Sequence, residues 1–258
     1  MSAADQPGRA LVFGSVAQAY ERHRPGYPDA VVDLVLAHAV LPVSTALEIG
    51  AGTGKATRVF AARGIAVTAT DPDPAMLAEL RRHVPPTVTT VEATLEELPA
   101  SSSYDVVFAA ASLHWTEPTQ RWERVAALLE PRGVFASFGG PLDLADPALQ
   151  AAAHEAQSPW LLDDGFPSPD GTPADAPMRW PGSELERSDL FTDVVQHVVR
   201  RRPVVSAADY LGHLATVSAY LMLPADDRQQ ALEAILAVLP DEVELRADLM
   251  LHVARRVD

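Results

Sequence analysis

Residues 45–71 have the sequence TALEIGAGTGKATRVFAARGIAVTATD, in which an apolar strand pattern leads into a glycine-rich turn, a helix pattern and a second strand pattern. Glycines at positions 50, 52 and 54 let the backbone turn sharply and let a ligand approach without meeting a Cβ atom. Asp71 ends the second strand, where a carboxylate can accept hydrogen bonds from both hydroxyls of an adenosine ribose. This combination favours a cofactor site over a β–α turn that binds nothing.

Short apolar runs alternate with helix patterns from about residue 45 to residue 140, which is typical of βαβ units and a parallel sheet. We predict strands at 45–49, 66–70, 87–91, 104–110 and 133–138, and helices at 53–63, 74–82 and 118–130. A strand at 193–201 and a last strand over 243–253, with alternating apolar residues, follow. The predicted fold class is α/β, a Rossmann-like, seven-stranded and mostly parallel sheet flanked by helices.

The segments around this core predict an N-terminal lid helix, with apolar spacing from Phe13 to Tyr20, and a helix at 29–39. Six prolines in 158–182 exclude a regular helix or a central strand there, so a lid or binding loop is expected. Helices at 207–220 and 225–238 are inserted before the last strand. We expect one domain over 1–258, with a binding core at 11–140 and an acceptor side formed by 141–182 and 203–240.

The composition excludes several classes of protein. The 258 residues include 20 Lys+Arg and 35 Asp+Glu, and the formal net charge of −15 disfavours nucleic acid and anionic membranes as partners. The absence of cysteine excludes disulfides, thiolate zinc sites and cysteine nucleophiles. The histidine spacings indicate no metal site. Because neither a signal peptide nor an apolar stretch of about 18 residues is present, we expect a soluble cytoplasmic protein.

Departures from two common glycine motifs narrow the choice of cofactor. A P-loop requires G-x4-G-K-[ST], whereas this chain has Ile49 at the first glycine and Ala56 after Lys55. The dinucleotide pattern G-x-G-x-x-G fails because Lys55 occupies the third glycine position. The pattern that remains is E-x-G-x-G-x-G, which begins at Glu48.

This pattern resembles motif I of class I S-adenosylmethionine (SAM)-dependent methyltransferases. The resemblance extends to the methyltransferase-11 and trans-aconitate methyltransferase-like group of small-molecule enzymes. It is carried by FGSVAQAYERHRPGYP (13–28), EATLEELP (92–99), YDVVFAAASLHWTEP (104–118) and LLEPRGVFASF (128–138). The resemblance covers essentially residues 11–140.

The resemblance implies SAM as the cofactor and S-adenosyl-L-homocysteine (SAH) as its product. The residues expected to bind it are Tyr20, Arg24, Glu48, Gly50, Gly52, Asp71, Pro72, Thr94 and Leu95. The two glycines would lie against the methionine part, Asp71 would accept the ribose hydroxyls, and the last three would surround the adenine. Glu48 would hold the region that faces the SAM ammonium or would cap nearby amides. Arg24 would bind a carboxylate or would pair with Glu21 or Asp29.

The acceptor side is predicted from the end of the fourth strand and from the segments outside the core. His114 follows the fourth strand at the edge where parallel sheets place their ligands, so it would act as a general base or would only orient the acceptor. The expected acceptor-binding residues are Phe13, Tyr27, Trp115, Trp160, His213 and Tyr220. His213 and Tyr220 are seven positions apart, which would put them on one face of a single helix. Packing in the core is the alternative for each of these residues.

The sequence therefore predicts a methyltransferase that transfers a methyl group to an oxygen of a small-molecule acceptor, a carboxylate or a hydroxyl. One alternative is a SAM-binding protein without transfer activity, and another is an NAD(P)-dependent oxidoreductase. The expected partners are the small-molecule acceptor and, if the protein is a homodimer rather than a monomer, a second copy.

Overall fold

The structure is a computed structural model that describes residues 11–99, 103–161, 168–173 and 175–258. Its tertiary contacts divide the chain into two units. The sheet unit consists of Gly26–Gly139, Pro167–Val199 and Met250–Asp258. The helical unit consists of Met1–Pro25, Gly140–Phe166 and Arg200–Leu249. Each unit is therefore assembled from segments that are far apart in sequence.

The strands form two sheets. They are β1 Thr45–Ile49, β2 Ala66–Asp71, β3 Thr89–Glu92, β4 Tyr104–Ala110, β5 Leu129–Gly139, β6 Asp143–Leu144, β7 Phe191–Val199, β8 Val204–Ser206, β9 Glu242–Arg246 and β10 Leu249–Arg256. The main sheet has the order β3-β2-β1-β4-β5-β10-β7. Strands β1 to β5 pair in parallel, and β10 pairs antiparallel to β5. The predicted seven-stranded, mostly parallel sheet is confirmed.

The strand order reverses between β1 and β4, which is the place where open parallel sheets bind ligands outside the carboxyl ends of their strands. The register pairs Glu48 of β1 with Ala69 of β2 on one side and with Phe108 of β4 on the other. The turns that follow these strands therefore lie at a common edge of the sheet.

The helices largely follow the predicted pattern. They are α1 Ala17–His23, α2 Asp29–His38, α3 Lys55–Ala61, α4 Pro74–Leu80, α5 Arg121–Ala127, α6 Pro147–Gln157, α7 Gly182–Leu185, α8 Ala207–Leu214, α9 Ser218–Leu221 and α10 Ala225–Leu236. Short 3-10 turns cover Leu11–Val16, Leu95–Glu97 and Leu113–Trp115. Helix α4 begins at Pro74 because the preceding Asp73 accepts a hydrogen bond from the Ala75 N–H at 2.9 Å.

Apolar packing holds the sheet between its helices. Phe60 of α3 stacks on Phe108 of β4 with ring centroids 4.0 Å apart, and Phe108 lies 6.1 Å from Phe138 of β5. All three rings are buried. Because α3 begins directly after the glycine-rich turn, this packing also fixes the end of that turn relative to β4.

The predicted last strand, 243–253, is wrong, because the chain changes sheets within it. Strand β9 pairs antiparallel with β6 and β8 in a separate three-stranded sheet, whereas β10 joins the main sheet. Between them, the Asp248 carboxylate accepts hydrogen bonds from the Arg201 N–H at 3.0 Å and from the Arg202 guanidinium. Alternation of apolar residues continues through this break, so the pattern gave no sign of it.

Two helix predictions and one loop prediction also differ from the structure. The helix predicted at 207–220 is two helices, because the Thr216 hydroxyl and N–H both donate to the His213 carbonyl and end α8. The helix predicted at 118–130 is confined to α5, since β5 begins at Leu129. The predicted loop 141–182 contains helix α6, whose cap Asp146 accepts from the Ala148 N–H at 2.8 Å.

The proline-rich segment lies in part outside the described residues, namely at 162–167 and 174. Its later part is held within the sheet unit. Asp170 accepts hydrogen bonds from the Ser183 hydroxyl at 2.6 Å and pairs with Arg187 at 2.8 Å. Gln196 of β7 accepts a hydrogen bond from the Arg179 N–H at 2.8 Å. A lid role for 158–182 stays a prediction.

Within the described part of the chain, no helix is long and apolar enough to cross a membrane.

Candidate functional site

The glycine-rich turn between β1 and α3 adopts left-handed backbone at all three glycines, with φ of +65° at Gly50, +55° at Gly52 and +81° at Gly54. A Cβ atom on Gly50 would meet the Ser112 side chain at 2.6 Å, and one on Gly54 would meet Leu80 at 2.7 Å. At Gly52, apart from the glycine and its two chain neighbours, no atom of the described residues lies within 4 Å of the Cβ position. Two glycines therefore permit close packing, whereas Gly52 borders open space that a ligand can enter.

Asp71 is tied to this turn by a direct hydrogen bond. Its Oδ2 accepts from the Gly52 N–H at 2.8 Å, and its Oδ1 accepts from the Asp73 N–H at 2.9 Å. The side chain is buried, and burial raises the pKa of Asp71 to about 6 although both hydrogen bonds act to lower it. A carboxylate offers about four lone-pair positions. Asp71 thus keeps capacity for further donors, such as the two hydroxyls of a ribose.

Glu48 precedes the turn, in the last part of β1. It is only 1% exposed, and its Oε2 accepts a hydrogen bond from the Thr57 hydroxyl at 2.5 Å. Burial raises the pKa of Glu48 to about 8, the nearby charge of Asp71 raises it further, and the Thr57 hydrogen bond opposes the shift. A cationic group near Glu48 would favour its ionised form.

Two residues of this region were not singled out in the sequence. Thr53, within the glycine-rich turn, is buried, and its hydroxyl has no hydrogen-bond partner among the residues that the structure describes. Ser112 follows β4, and its hydroxyl donates to the Ile49 carbonyl at 2.5 Å. Their positions at strand ends were visible in the sequence, but small hydroxyl residues are too common for that signal to distinguish them.

The expected adenine-binding residues lie next to Asp71 along the same edge. The Ala93 N–H donates to the Asp71 carbonyl at 3.3 Å, which brings the end of β3 beside Pro72. Thr94 is half-buried, and its N–H donates to the Glu97 carboxylate at 2.8 Å. Leu95 is buried. The Thr94 hydroxyl and backbone carbonyls are therefore the polar groups that an adenine could meet here.

His114 and Trp115 occupy the 3-10 turn after β4, and both are half-buried. Their rings lie 4.7 Å apart. Because Ser112 packs against Gly50, this turn lies at the same sheet edge as the glycine-rich turn. Tyr27, also in the sheet unit, packs edge-on against Phe138 with ring centroids 5.0 Å apart.

The remaining expected residues belong to the helical unit, where three of them, in the N-terminal segment, contact one another or Thr216. Arg24 donates from Nε to the Thr216 hydroxyl at 2.9 Å and from Nη2 to the Thr216 carbonyl at 3.0 Å. Its guanidinium also lies over the Tyr20 ring at 5.1 Å, and Phe13 packs edge-on against Tyr20. Thr216 thus takes the place of the acidic partner considered for Arg24. The assignment of Tyr20, Arg24 and Phe13 to a ligand stays a prediction.

His213 and Tyr220 lie on different helices, α8 and α9, so the predicted common helix face is wrong. Burial, together with the charges of Arg24 and His23, lowers the pKa of His213 to about 3, and its Nδ1 has no hydrogen-bond partner among the described residues. Tyr220 is fully buried, and its hydroxyl donates to Gln157 at 2.5 Å. Trp160 is half-buried after α6. A role for these side chains in acceptor binding stays a prediction.

No group of three or more His, Asp or Glu side chains in the described ranges could hold a metal ion. The arrangement in the sheet unit is instead suited to an organic cofactor. It has an open approach at Gly52, a buried carboxylate with acceptor capacity at Asp71 and a second buried acid at Glu48. A histidine and a tryptophan follow the adjacent strand.

Comparison with known proteins agrees with the predicted resemblance. Residues 47–137 match the methyltransferase-11 family, described as "Methyltransferase domain". An uncharacterised methyltransferase of Mycobacterium tuberculosis is 43% identical over 125 residues, which are 48% of this chain and 50% of that protein. Trans-aconitate 2-methyltransferase of Escherichia coli is 32% identical over 121 residues, 46% of each chain. The chain thus spans about half the length of these relatives.

Solved structures show the same fold. A candidate type II methyltransferase from Anaeromyxobacter dehalogenans superposes with a TM-score of 0.59 at 24% identity, over 91% of this chain and 97% of that one. Phosphoethanolamine N-methyltransferase 2 of Haemonchus contortus, solved with SAH, gives a TM-score of 0.55 at 15% identity. The match covers 100% of this chain and 61% of that one. The Rossmann-like fold and the resemblance to SAM-dependent methyltransferases are confirmed.

Proposed function

We propose that this protein is a SAM-dependent methyltransferase that transfers a methyl group to an oxygen of a small-molecule acceptor, a carboxylate or a hydroxyl. The observation that carries the proposal is the hydrogen bond from the Gly52 N–H to Asp71 at 2.8 Å, beside the open space at Gly52. It joins the two elements that such a cofactor requires, a turn without side chains and an acid for the ribose.

The residues present fit this cofactor. Gly50 and Gly52 would take the methionine part and Asp71 the ribose hydroxyls. Pro72, Thr94 and Leu95 would surround the adenine. The unpartnered Thr53 hydroxyl supports the assignment, because a buried polar group without a partner is costly and a polar ligand would satisfy it. Glu48 would compensate the positive charge of the cofactor.

When bound, SAM supplies an electrophilic methyl group on a sulfonium. The protein contributes orientation of the two reactants and exclusion of water. An acceptor carboxylate is already ionised at neutral pH and needs no base. For a hydroxyl acceptor, a ring nitrogen of His114 would take the hydroxyl proton as the oxygen attacks.

The charge of Glu48 should change when the cofactor binds. With a pKa of about 8, it is mostly protonated at neutral pH in the absence of ligand. A cationic ligand nearby lowers that pKa and draws off the proton. We therefore expect SAM binding to release protons near neutral pH.

Calorimetric titration with SAM and SAH tests the proposal first, with NADH as the control for the oxidoreductase alternative. We expect both adenosyl ligands to bind and NADH not to bind. A transfer assay with methyl-labelled SAM then compares small carboxylates, including trans-aconitate because a relative is named for it, with phenols and alcohols. Failure of SAM and SAH to bind would refute the proposal. Binding without transfer to any acceptor would favour a SAM-binding protein without activity.

A further inference from the structure

We propose that Arg121 is a positioning residue that holds the His114 turn, defined here as residues 112–116, in place for the acceptor. The inference rests on the proposed function, because it assigns a task to the turn in methyl transfer. Arg121 begins helix α5 and is the largest fully buried side chain in the described part of the protein.

The His114 turn is held at both ends. At its start, the Ser112 hydroxyl donates to the Ile49 carbonyl of β1 at 2.5 Å. At its end, the Thr116 N–H and hydroxyl donate to the Leu113 carbonyl at 3.1 and 2.7 Å. His114 lies between these two anchors, so its orientation depends on both.

Arg121 makes the second anchor rigid. Its Nε donates to the Thr116 hydroxyl oxygen at 2.7 Å, and its Nη2 donates to the Thr116 carbonyl at 2.8 Å. The planar guanidinium therefore hydrogen-bonds to the side chain and to the backbone of one residue at the same time. Such paired bonds fix direction as well as distance, which a lysine ammonium does not do.

The charge of Arg121 is compensated from another part of the chain. Its Nη1 lies 3.5 Å from a carboxylate oxygen of Glu184 in α7, and that oxygen also accepts from the Trp122 indole at 2.9 Å. The Trp180 ring lies 5.4 Å from the guanidinium. Burial lowers the pKa of Arg121, and the Glu184 charge acts against that shift.

A buried ion pair is a costly way to fill a core, since apolar residues of similar volume are often as stable or more stable. The contacts of Arg121 are directed at the turn that carries His114 and Trp115. This charge orients the turn rather than stabilising the fold.

The test uses Arg121→Lys, which keeps the charge and loses the paired bonds. The control is Arg256→Lys, because Arg256 also donates to a main-chain carbonyl of the sheet unit, that of Leu129. The reporter is the ring C–H signal of His114 in NMR spectra, assigned by its loss in His114→Gln. We expect the single His114 signal to shift and broaden in Arg121→Lys only, while the signal of exposed His83 stays unchanged.

Function is measured on the same proteins. SAH affinity should remain within about twofold of the parent, because Arg121 contacts neither Gly52 nor Asp71. With an acceptor identified in the transfer assay, kcat should fall by about a hundredfold at unchanged KM for SAM, since a displacement of about 1 Å can have that effect.

Thr116→Val and Thr116→Ser provide a second route if Arg121→Lys does not fold. Valine removes the hydroxyl at similar volume and should disturb the His114 signal, whereas serine keeps the hydroxyl and should restore it. An unchanged His114 signal in Arg121→Lys, or in Thr116→Val, would overturn the inference. A disturbed signal in a protein that does not bind SAH would retain the role of Arg121 in the turn and refute the proposed function alone.

Discussion

Two acids beside the glycine-rich turn of the sheet unit differ from two polar side chains of the helical unit. In the sheet unit, burial raises the pKa of Asp71 to about 6 and that of Glu48 to about 8. In the helical unit, Arg24 is paired with Thr216 and Tyr220 with Gln157 through direct hydrogen bonds. Paired polar groups stabilise a fold, whereas buried acids that keep acceptor capacity are suited to a ligand that brings donors.

The largest effect expected from this comparison is that of Asp71→Ala on SAH binding. The variant loses the ribose acceptor and leaves the Gly52 N–H without its partner, so affinity should fall by about a hundredfold, equivalent to about 3 kcal/mol. Calorimetry measures it. Asp105→Ala is the control, because Asp105 also accepts main-chain hydrogen bonds, from Ser44 and Thr45 at the opposite end of β1. Unchanged SAH affinity in Asp71→Ala would remove this acid from the site.

Gly52→Ala and Gly64→Ala separate the ligand role of a glycine from its backbone role. Both glycines have positive φ, and around both the described residues leave the Cβ position open. Each substitution should cost about 1 kcal/mol of stability, measured by urea unfolding. Only Gly52→Ala should also weaken SAH binding, by about tenfold or more. Equal affinities in the two variants would show that the ligand does not approach at Gly52.

The pH dependence of SAH affinity tests the raised pKa of Asp71. Ribose donors favour the ionised carboxylate, so affinity should be constant above about pH 6 and should fall below it, by at most about tenfold per pH unit. The measurement is made on Glu48→Gln, because Glu48 would itself release a proton on binding, and His213, with a pKa of about 3, does not change charge between about pH 5 and about pH 6.5. Adding Asp71→Asn should give weak binding with a flat profile, and an equally flat profile in Glu48→Gln alone would contradict the assignment.

The smallest effect concerns the helical unit. Tyr220→Phe removes the hydroxyl that donates to Gln157 and should lower the free energy of unfolding by about 1 kcal/mol while SAH affinity stays the same. Tyr104→Phe, on the half-buried Tyr104 of β4, is the control and should change stability by less than about 0.5 kcal/mol. A loss of SAH affinity in Tyr220→Phe would place this residue in the cofactor site and erase the contrast between the units.

Local sequence was enough to predict the strand, turn and acid that form the candidate site. The strand, the glycine-rich turn and the acid after the next strand follow from apolar periodicity, from the backbone freedom of glycine and from the rule that parallel strands place their ends together. The unpartnered hydroxyl of Thr53 is not predictable from sequence, because nothing local distinguishes a hydroxyl that finds a partner from one that does not. The unbroken alternation across 243–253 predicted one strand where there are two for a related reason. Periodicity reports burial and does not report the sheet to which a strand belongs.

The sequence by itself determined the α/β class, the family resemblance and the positions of Gly52, Asp71 and His114 at strand ends, because each depends on residues close together in the chain. Only the tertiary structure decided the partners of two arginines. Arg24 meets Thr216 across 192 positions, and Arg121 meets Glu184 across 63. An arginine offers the same donors wherever it lies, so its local sequence holds no information on which distant oxygen will accept them. That choice is made when the segments pack, because a buried guanidinium without acceptors would cost more than the fold can offset.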